Sequence, residues 1–393
     1  MRRIIEKYKR LIELTKVFSK LGLITFGGPA AHIAMFEDEV VSKLKWMSHQ
    51  HFLDLVGATN LIPGPNSTEM ALHTGYHRAG IAGLIVAGIC FTLPAVLITG
   101  IFAFIYAAYG NLPDVKPFLY GIKPAVIVII INAVYKLGSK AIKGWKLIAI
   151  AVAVASVNAF GVNEVISILL GGGIGALFIY LSENKNILNS FSPISIISIF
   201  AMITTLGEIE RSQISLTKIF LTCLKIGAVW FGGGYILVAY FNGEFVQGLH
   251  WLTRQELLDA IAVGQFTPGP FLSSATFVGY QIAGFGGAAV ATIGILIPSF
   301  IFVLLLNPIV PKLRRSKFLS HFLDAVNVSA LAVMFVVAVK LGTEVLIDPS
   351  AGLNWRATVI TILSVVLFLK YKKINSAYIV LGGAVLGYLL HFI

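Results

Sequence analysis

Apolar runs of 17 or more residues recur from one end of the chain to the other, separated by short polar segments. Runs of this length and spacing predict membrane helices. Six are expected in the first half, near 11–36, 52–78, 80–109, 117–137, 145–160 and 164–181. Six more follow near 215–242, 255–280, 282–307, 321–341, 355–371 and 374–392, with one further apolar run at 190–206 between the two sets. Two of these runs are interrupted where a helix should be strongest. Residues 62–68 read IPGPNST and residues 267–273 read TPGPFLS. Two prolines around a glycine are among the worst choices for a helix interior.

The interruptions belong to a repeat. Shifted by 205 residues, positions 20–65 match themselves at 17 of 46 positions without a gap. Lys20 meets Lys225, Phe26-Gly27-Gly28 meets Phe231-Gly232-Gly233, and Glu39 meets Glu244. Pro63-Gly64-Pro65 meets Pro268-Gly269-Pro270, and at an offset of 204 Gly75-Tyr76 meets Gly279-Tyr280 and Pro94 meets Pro298. The expected organisation is a first repeat over 1–185, a bridging segment over 186–210 and a second repeat over 211–393.

Composition agrees with a membrane protein: 57% of residues are hydrophobic and 12% charged, where a soluble domain has about 25% charged. The net charge of +12 suggests no nucleic acid, because the cations sit in short loops, where they orient the chain in the bilayer. The mixed apolar and cationic start, from Ile4 to Phe18, suits an amphipathic helix at the cytoplasmic membrane face. With the N-terminus in the cytoplasm and 190–206 spanning, 21 loop cations lie inside and 7 outside; otherwise the split is 17 against 11. The expectation is an all-α polytopic protein of the cytoplasmic membrane with about thirteen spans in two inverted halves, the C-terminus external. Cys90 and Cys223 are isolated, and no disulfide, metal or cofactor is expected.

Inverted repeats with matched breaks are how secondary transporters build a central site. Unpaired backbone in lipid costs several kcal/mol, so a break survives where it lines a polar cavity. A helix restarting after Pro65 or Pro270 points free amides into that cavity, with the positive end of its dipole. The candidate anion-binding residues are therefore Gly27, Gly28, Asn66, Ser67 and Thr68, with Gly232, Gly233, Gly234, Thr267, Phe271, Ser273 and Ser274. Lys20 and Lys225, each seven residues ahead of a glycine break, are candidate countercharges. Glu69, replaced by Ser274 in the second half, and His32, replaced by Leu237, are candidates for proton coupling; each has a structural alternative, Glu69 as a partner of Arg78 or a histidine. Glu39, Glu244, Asp54 and Asp259 are expected to cap or pair at loops. Gly171-x-x-x-Gly175 and Gly383-x-x-x-Gly387 predict close helix packing, either between the halves or between two copies of the chain as a homodimer.

The paired stretches KLGLITFGGPAAHIAMFEDEVV and LKIGAVWFGGGYILVAYFNGEFV, with the two PGP segments and the CFTLPA and GILIPSF segments, identify a resemblance over residues 11 to 391. The chain resembles the chromate ion transporter family. The resemblance implies a secondary transporter that moves chromate, or a related tetrahedral oxyanion such as sulfate, with halves of opposite orientation. An anion channel and a sulfate uptake carrier are the alternatives. An intramembrane enzyme finds no support, since HExxH, GxSxG and Walker A patterns are missing from the sequence.

Overall fold

The computed structural model describes residues 2–26, 28–110, 112–183, 213–306, 316–348, 352–371 and 374–392. Gly27, the bridging segment and the cations Lys312, Arg314 and Arg315 lie outside the described residues. Fourteen α-helices occur among the described residues, seven in each half. The first seven are α1 (Arg2–Ile24), α2 (Pro29–Phe36), α3 (His49–Thr59), α4 (Asn66–Tyr109), α5 (Lys116–Ala141), α6 (Trp145–Ala159) and α7 (Glu164–Glu183). The second seven are α8 (Leu216–Val229), α9 (Leu237–Phe241), α10 (Arg254–Phe266), α11 (Ser274–Leu306), α12 (Lys317–Leu346), α13 (Trp355–Lys370) and α14 (Ser376–His391). Helices α2 and α9 each run on into a π-helical turn, Glu37–Lys43 and Asn242–Gly248.

Five of these helices are long and apolar enough to cross a membrane. The outer face of α4 shows why. Ile81, Ile85, Ile89, Leu93, Leu97 and Ile101 recur every fourth residue, and all are exposed. Twenty residues of helix measure about 30 Å, the thickness of a bilayer's hydrocarbon core. Such a stripe suits lipid and is costly in water.

The interrupted runs depart from expectation. The runs 11–36 and 215–242 were each expected as one broken helix continuing in the same direction; both reverse. Nineteen residues of straight helix would separate Lys20 from Glu39 by about 28 Å, yet Nζ of Lys20 lies 3.1 Å from Glu39 Oε1. Phe18 and Phe36 stand edge to face at 5.6 Å. In the second half Lys225 Nζ lies 2.7 Å from Glu244 Oε1, and the Tyr240 hydroxyl donates to Val229 O at 2.6 Å. The runs 52–78 and 255–280 double back at their PGP segments in the same way. The rings of His51 and His77 lie 4.7 Å apart, and Tyr106 touches both Asp259 and Phe277. Glycines at the breaks allow the reversal: Gly232, Gly233 and Gly269 adopt φ of 96°, 95° and 90°, closed to most side chains.

Each half therefore opens with two helical hairpins whose tips are its two breaks. Next comes a two-residue reversal inside α4 and α11. Ala79 and Gly80 leave helical geometry in α4, as Ala283 and Gly284 do in α11, with Gly80 at φ 65° and Gly284 at φ 61°. The two arms then pack on each other so closely that a Cβ on Gly75 would overlap the carbonyl of Gly83 and lie 2.6 Å from Ala87 Cβ.

The long arm 81–109 joins the two sets of hairpins. Its start follows directly from the base of the first set, where Arg78 pairs with Glu13 at 2.6 Å. Its far end meets the base of the second set: Phe104 stacks on Phe285 at 6.2 Å, and the Tyr106 hydroxyl donates to Asp259 Oδ2 at 2.7 Å. The glycine pairs of the last helices are consumed within the chain. Gly171 and Gly175 of α7 pack on Ser329 and Ala325 of α12, and Gly383 and Gly387 of α14 pack on Gly121 of α5.

Candidate functional site

The four hairpin tips meet. The amide of Gly64, in the first PGP tip, donates to the carbonyl of Trp230, beside the second-half glycine break, at 2.6 Å. The amide of Gly269, in the second PGP tip, donates to the carbonyl of Thr25, beside the first-half break, at 2.8 Å. Both donors and acceptors are related by the same 205-residue shift that relates the two halves of the sequence. Each PGP tip is thus pinned to the opposite half, and backbone groups freed by the breaks satisfy one another across the centre.

A narrow cavity of about 30 Å³ lies among these tips. From the first half it is lined by Gly28, Pro29 and His32 and by Pro65 and Ser67. From the second half Trp230, Gly234 and Tyr235 contribute, with Gly264, Gln265, Thr267, Gly269, Phe271 and Leu272. Pro65 caps the start of α4 with extended backbone, and Asn66, Ser67 and Thr68 form its first turn. Pro270 holds the same place ahead of a 3₁₀ turn, Phe271–Ser273, that leads into α11. Two helix starts thus converge on one cavity, an arrangement suited to negative charge.

Of the residues expected from sequence, Gly28, His32, Pro65, Ser67, Gly234, Thr267, Gly269 and Phe271 line the cavity. Thr68, Ser273 and Ser274 lie behind it, buried and with hydroxyls unpartnered among the described residues. Pro63, Gly64, Pro268 and Pro270 form the tips, and the Asn66 side chain turns aside to donate to Asn60 Oδ1 at 2.8 Å. Gly232 and Gly233 make the chain reversal beside Trp230. Thr267 accepts from Thr99 at 3.2 Å and donates to Val263 O at 2.8 Å.

The structure does not bring Lys20 or Lys225 into the cavity. Both side chains are half exposed and both are ion-paired, with Glu39 and Glu244. No Lys or Arg is found among the lining residues, so positive potential there comes from helix starts and amides. Glu69 is buried with both carboxylate oxygens unpartnered among the described residues. Arg78, one of its expected partners, is bonded to Glu13 instead. The His32 ring is buried against Phe91 at 5.7 Å.

Sequence reasoning missed Trp230, Tyr235, Gly264 and Gln265. One signal could have found Gln265: it stands three residues before Pro268, as Asn60 stands three before Pro63. Matched carboxamides ahead of matched breaks point to the same place. Tyr235 corresponds to Ala30 and carries no such signal; its ring lies 5.7 Å from Phe271 and its hydroxyl donates to Gln265 Oε1 at 3.4 Å.

The family model for chromate transporters matches residues 12–176 and again 217–388. The chain belongs to the chromate transporter family. Its similarity extends over full-length members: it is 32% identical to a probable chromate transport protein of Synechococcus elongatus, with 86% of each chain covered. It is 29% identical to a chromate transport protein of Cupriavidus metallidurans, over 96% of this chain and 92% of that one. An uncharacterized transporter of Methanocaldococcus jannaschii is 30% identical over 95% of this chain. No solved structure matches the chain. The chromate transporter family is a family of transporters and not of enzymes, and the apolar helices fit a multi-pass membrane protein.

Proposed function

We propose that this protein is a secondary transporter that carries chromate, or a related tetrahedral oxyanion such as sulfate, through a central site between its hairpin tips. The observation that carries the proposal is the reciprocal pinning of the two PGP tips around one cavity. A dianion there would take hydrogen bonds from the first-turn amides after Pro65 and Pro270 and from Ser67 and its neighbours. Two helix starts supply roughly half a positive charge each, which offsets part of the dianion's large desolvation cost. The cavity is too tight for free passage, and this suits a carrier that opens to one side at a time.

The halves are inverted in this reading. Support comes from the arm 81–109, which carries the base of one hairpin set at its start and touches the base of the other at its end. The reversals change the expected membrane path. Among the described residues, four re-entrant hairpins and eight crossings replace twelve of the thirteen expected spans; the run 190–206 lies outside the described residues and keeps the path expected from the sequence. Lys43 and Lys45 then move to the cytoplasmic side and Arg254 to the outside, so the loop cations divide 22 against 6, in keeping with the positive-inside rule. Cysteines placed singly at Ser139 and Ser316 should both resist an impermeant thiol reagent added from outside. Labelling of Ser316→Cys alone would mean parallel halves.

The transport reading is tested in proteoliposomes. Labelled chromate should enter faster into vesicles preloaded with unlabelled chromate, and sulfate should compete. Flux without such trans-stimulation would indicate a channel, and no flux of either anion would overturn the proposal.

A further inference from the structure

The corner behind Gly64 contains a group that the anion site does not use. A Cβ placed on Gly64 would overlap Oε1 of Glu69 and lie 2.6 Å from Oγ of Ser299. The Glu69 carboxylate and the Ser299 hydroxyl therefore converge on the same backbone, one from each half of the chain. Both residues are fully buried, and neither carboxylate oxygen nor the hydroxyl has a hydrogen-bond partner among the described residues. Gly64 is also the residue whose amide is pinned to Trp230. The corner thus adjoins one of the two contacts that hold the tips together.

Among the described residues, the neighbouring elements place no lysine or arginine against the Glu69 carboxylate. Helix α11, which brings Ser299, carries no charged residue and no histidine from Ser274 to Leu306. On α1, Lys20 is bonded to Glu39 and Glu13 to Arg78. On α2 the histidine is His32, with its ring against Phe91. On α3, His51 is stacked on His77 at the hairpin base and Asp54 accepts from Gln50 at 3.5 Å. On its own helix the nearest titratable group is His73, one turn on. An ionised carboxylate sealed away without a partner is very costly, and a bound cation removes that cost. Hard metal cations gather about six oxygens, whereas one carboxylate and one hydroxyl converge here. That donor set suits a proton.

The mirror position lacks this chemistry. Around Gly269 a Cβ would lie 3.0 Å from Ala95 Cβ, and Ser274 replaces the carboxylate. Position 95 is Ala where the other half has Ser299, so the corner exists once per molecule.

We propose that Glu69, with Ser299, is the proton-binding site that couples oxyanion transport to the proton gradient, one proton per cycle. This rests on the transport reading above. Glu69 lies in the first turn of α4, the turn whose Pro65 and Ser67 line the cavity. An ionised Glu69 competes with the oxyanion for the same positive helix start; a protonated one leaves it to the substrate. Proton and oxyanion are then carried together.

The test uses liposomes with a trapped pH dye and labelled chromate. With the unmodified protein, chromate entry acidifies the lumen, and an imposed proton gradient speeds uptake severalfold. In Glu69→Gln the ratio of uptake with and without the gradient falls to about one and acidification stops, while Glu69→Asp keeps both. Detectable counterflow in Glu69→Gln establishes that it is folded and binds chromate. Ser299→Ala shifts the pH midpoint of uptake, and Ala95→Ser at the mirror position does not; this pair decides the matter if Glu69→Gln fails to fold. Full gradient acceleration in Glu69→Gln, or acceleration of the unmodified protein by sodium instead of protons, would overturn the proposal. Absence of any chromate flux in the unmodified protein would instead defeat the transport reading, and this inference with it.

Discussion

The corners around Gly64 and Gly269 are built on the same backbone plan and filled with different chemistry. In both, a PGP tip donates an amide to the opposite half, and a helical turn begins directly after the second proline, α-helical after Pro65 and 3₁₀ after Pro270. Around Gly64 stand a carboxylate and a hydroxyl; around Gly269 stand an alanine methyl and a backbone carbonyl of Gly22. The two halves share the frame, because every freed amide needs an acceptor in the membrane interior. Side chains were free to diverge wherever they do not hold that frame. The comparison therefore separates what the fold requires from what the mechanism adds.

The largest effect should follow from breaking the shared frame. Gly64→Ala introduces a Cβ at φ 144° that overlaps Glu69 and crowds Ser299. Strain and overpacking together should cost about 3 kcal/mol or more, read as a lowered melting temperature and lost flux. Gly269→Ala, at φ 90° with 3.0 Å to Ala95 Cβ and Gly22 O, should also be damaging, but less so. Equal stability of Gly64→Ala and the unmodified protein would remove the argument that these tips are tightly packed.

Next come the matched ion pairs. Lys225→Met leaves Glu244, whose side chain is 9% exposed, without its partner, and transport should fall steeply. If pairing is the role of this lysine, adding Glu244→Gln to Lys225→Met restores much of the flux, since the stranded charge is gone. If the lysine is an anion ligand, as first expected from the sequence, the second substitution restores nothing.

The smallest effect belongs to the hydroxyls. Ser67→Ala and Ser273→Ala should weaken chromate affinity by roughly ten- to a hundredfold and not abolish it, because one hydrogen bond to a charged group is worth about 1.5–3 kcal/mol and the backbone amides remain. Ser67 lines the cavity and Ser273 lies behind it, so the Ser67 variant should suffer more. A reversed order would mean that the second-half helix start carries most of the binding.

Much of this was legible in the sequence. The four breaks, their pairing and their convergence on polar backbone could be read from FGG and PGP alone. The direction of the chain through each break could not. Periodicity reports that helices flank Gly27-Gly28 or Pro63-Gly64-Pro65, but a kink and a reversal leave the same apolar pattern on both sides. The clue lay in Lys20 and Glu39, whose matched recurrence as Lys225 and Glu244 reads naturally as a bonded pair once the chain doubles back. The lysines were assigned to the anion for the same reason. Repetition marks a residue as needed by both halves without saying whether it serves the frame or the substrate. The asymmetric residues, Glu69 and Ser299, carry the opposite message, and only the fold brings residues 230 positions apart to one glycine.

The bonds from Gly64 to Trp230 and from Gly269 to Thr25 also bear on how the molecule is made. When the ribosome has released only the first repeat, the carbonyl of Thr25 and the amide of Gly64 have no mates, because both acceptor and donor lie in chain not yet synthesised. The first two hairpins share a buried core of their own, with Phe18, Phe36, Phe52, Met70 and Phe91 packed together, but these two backbone bonds close only when the second repeat arrives. The pinned cavity is therefore complete only when both repeats are present in the chain.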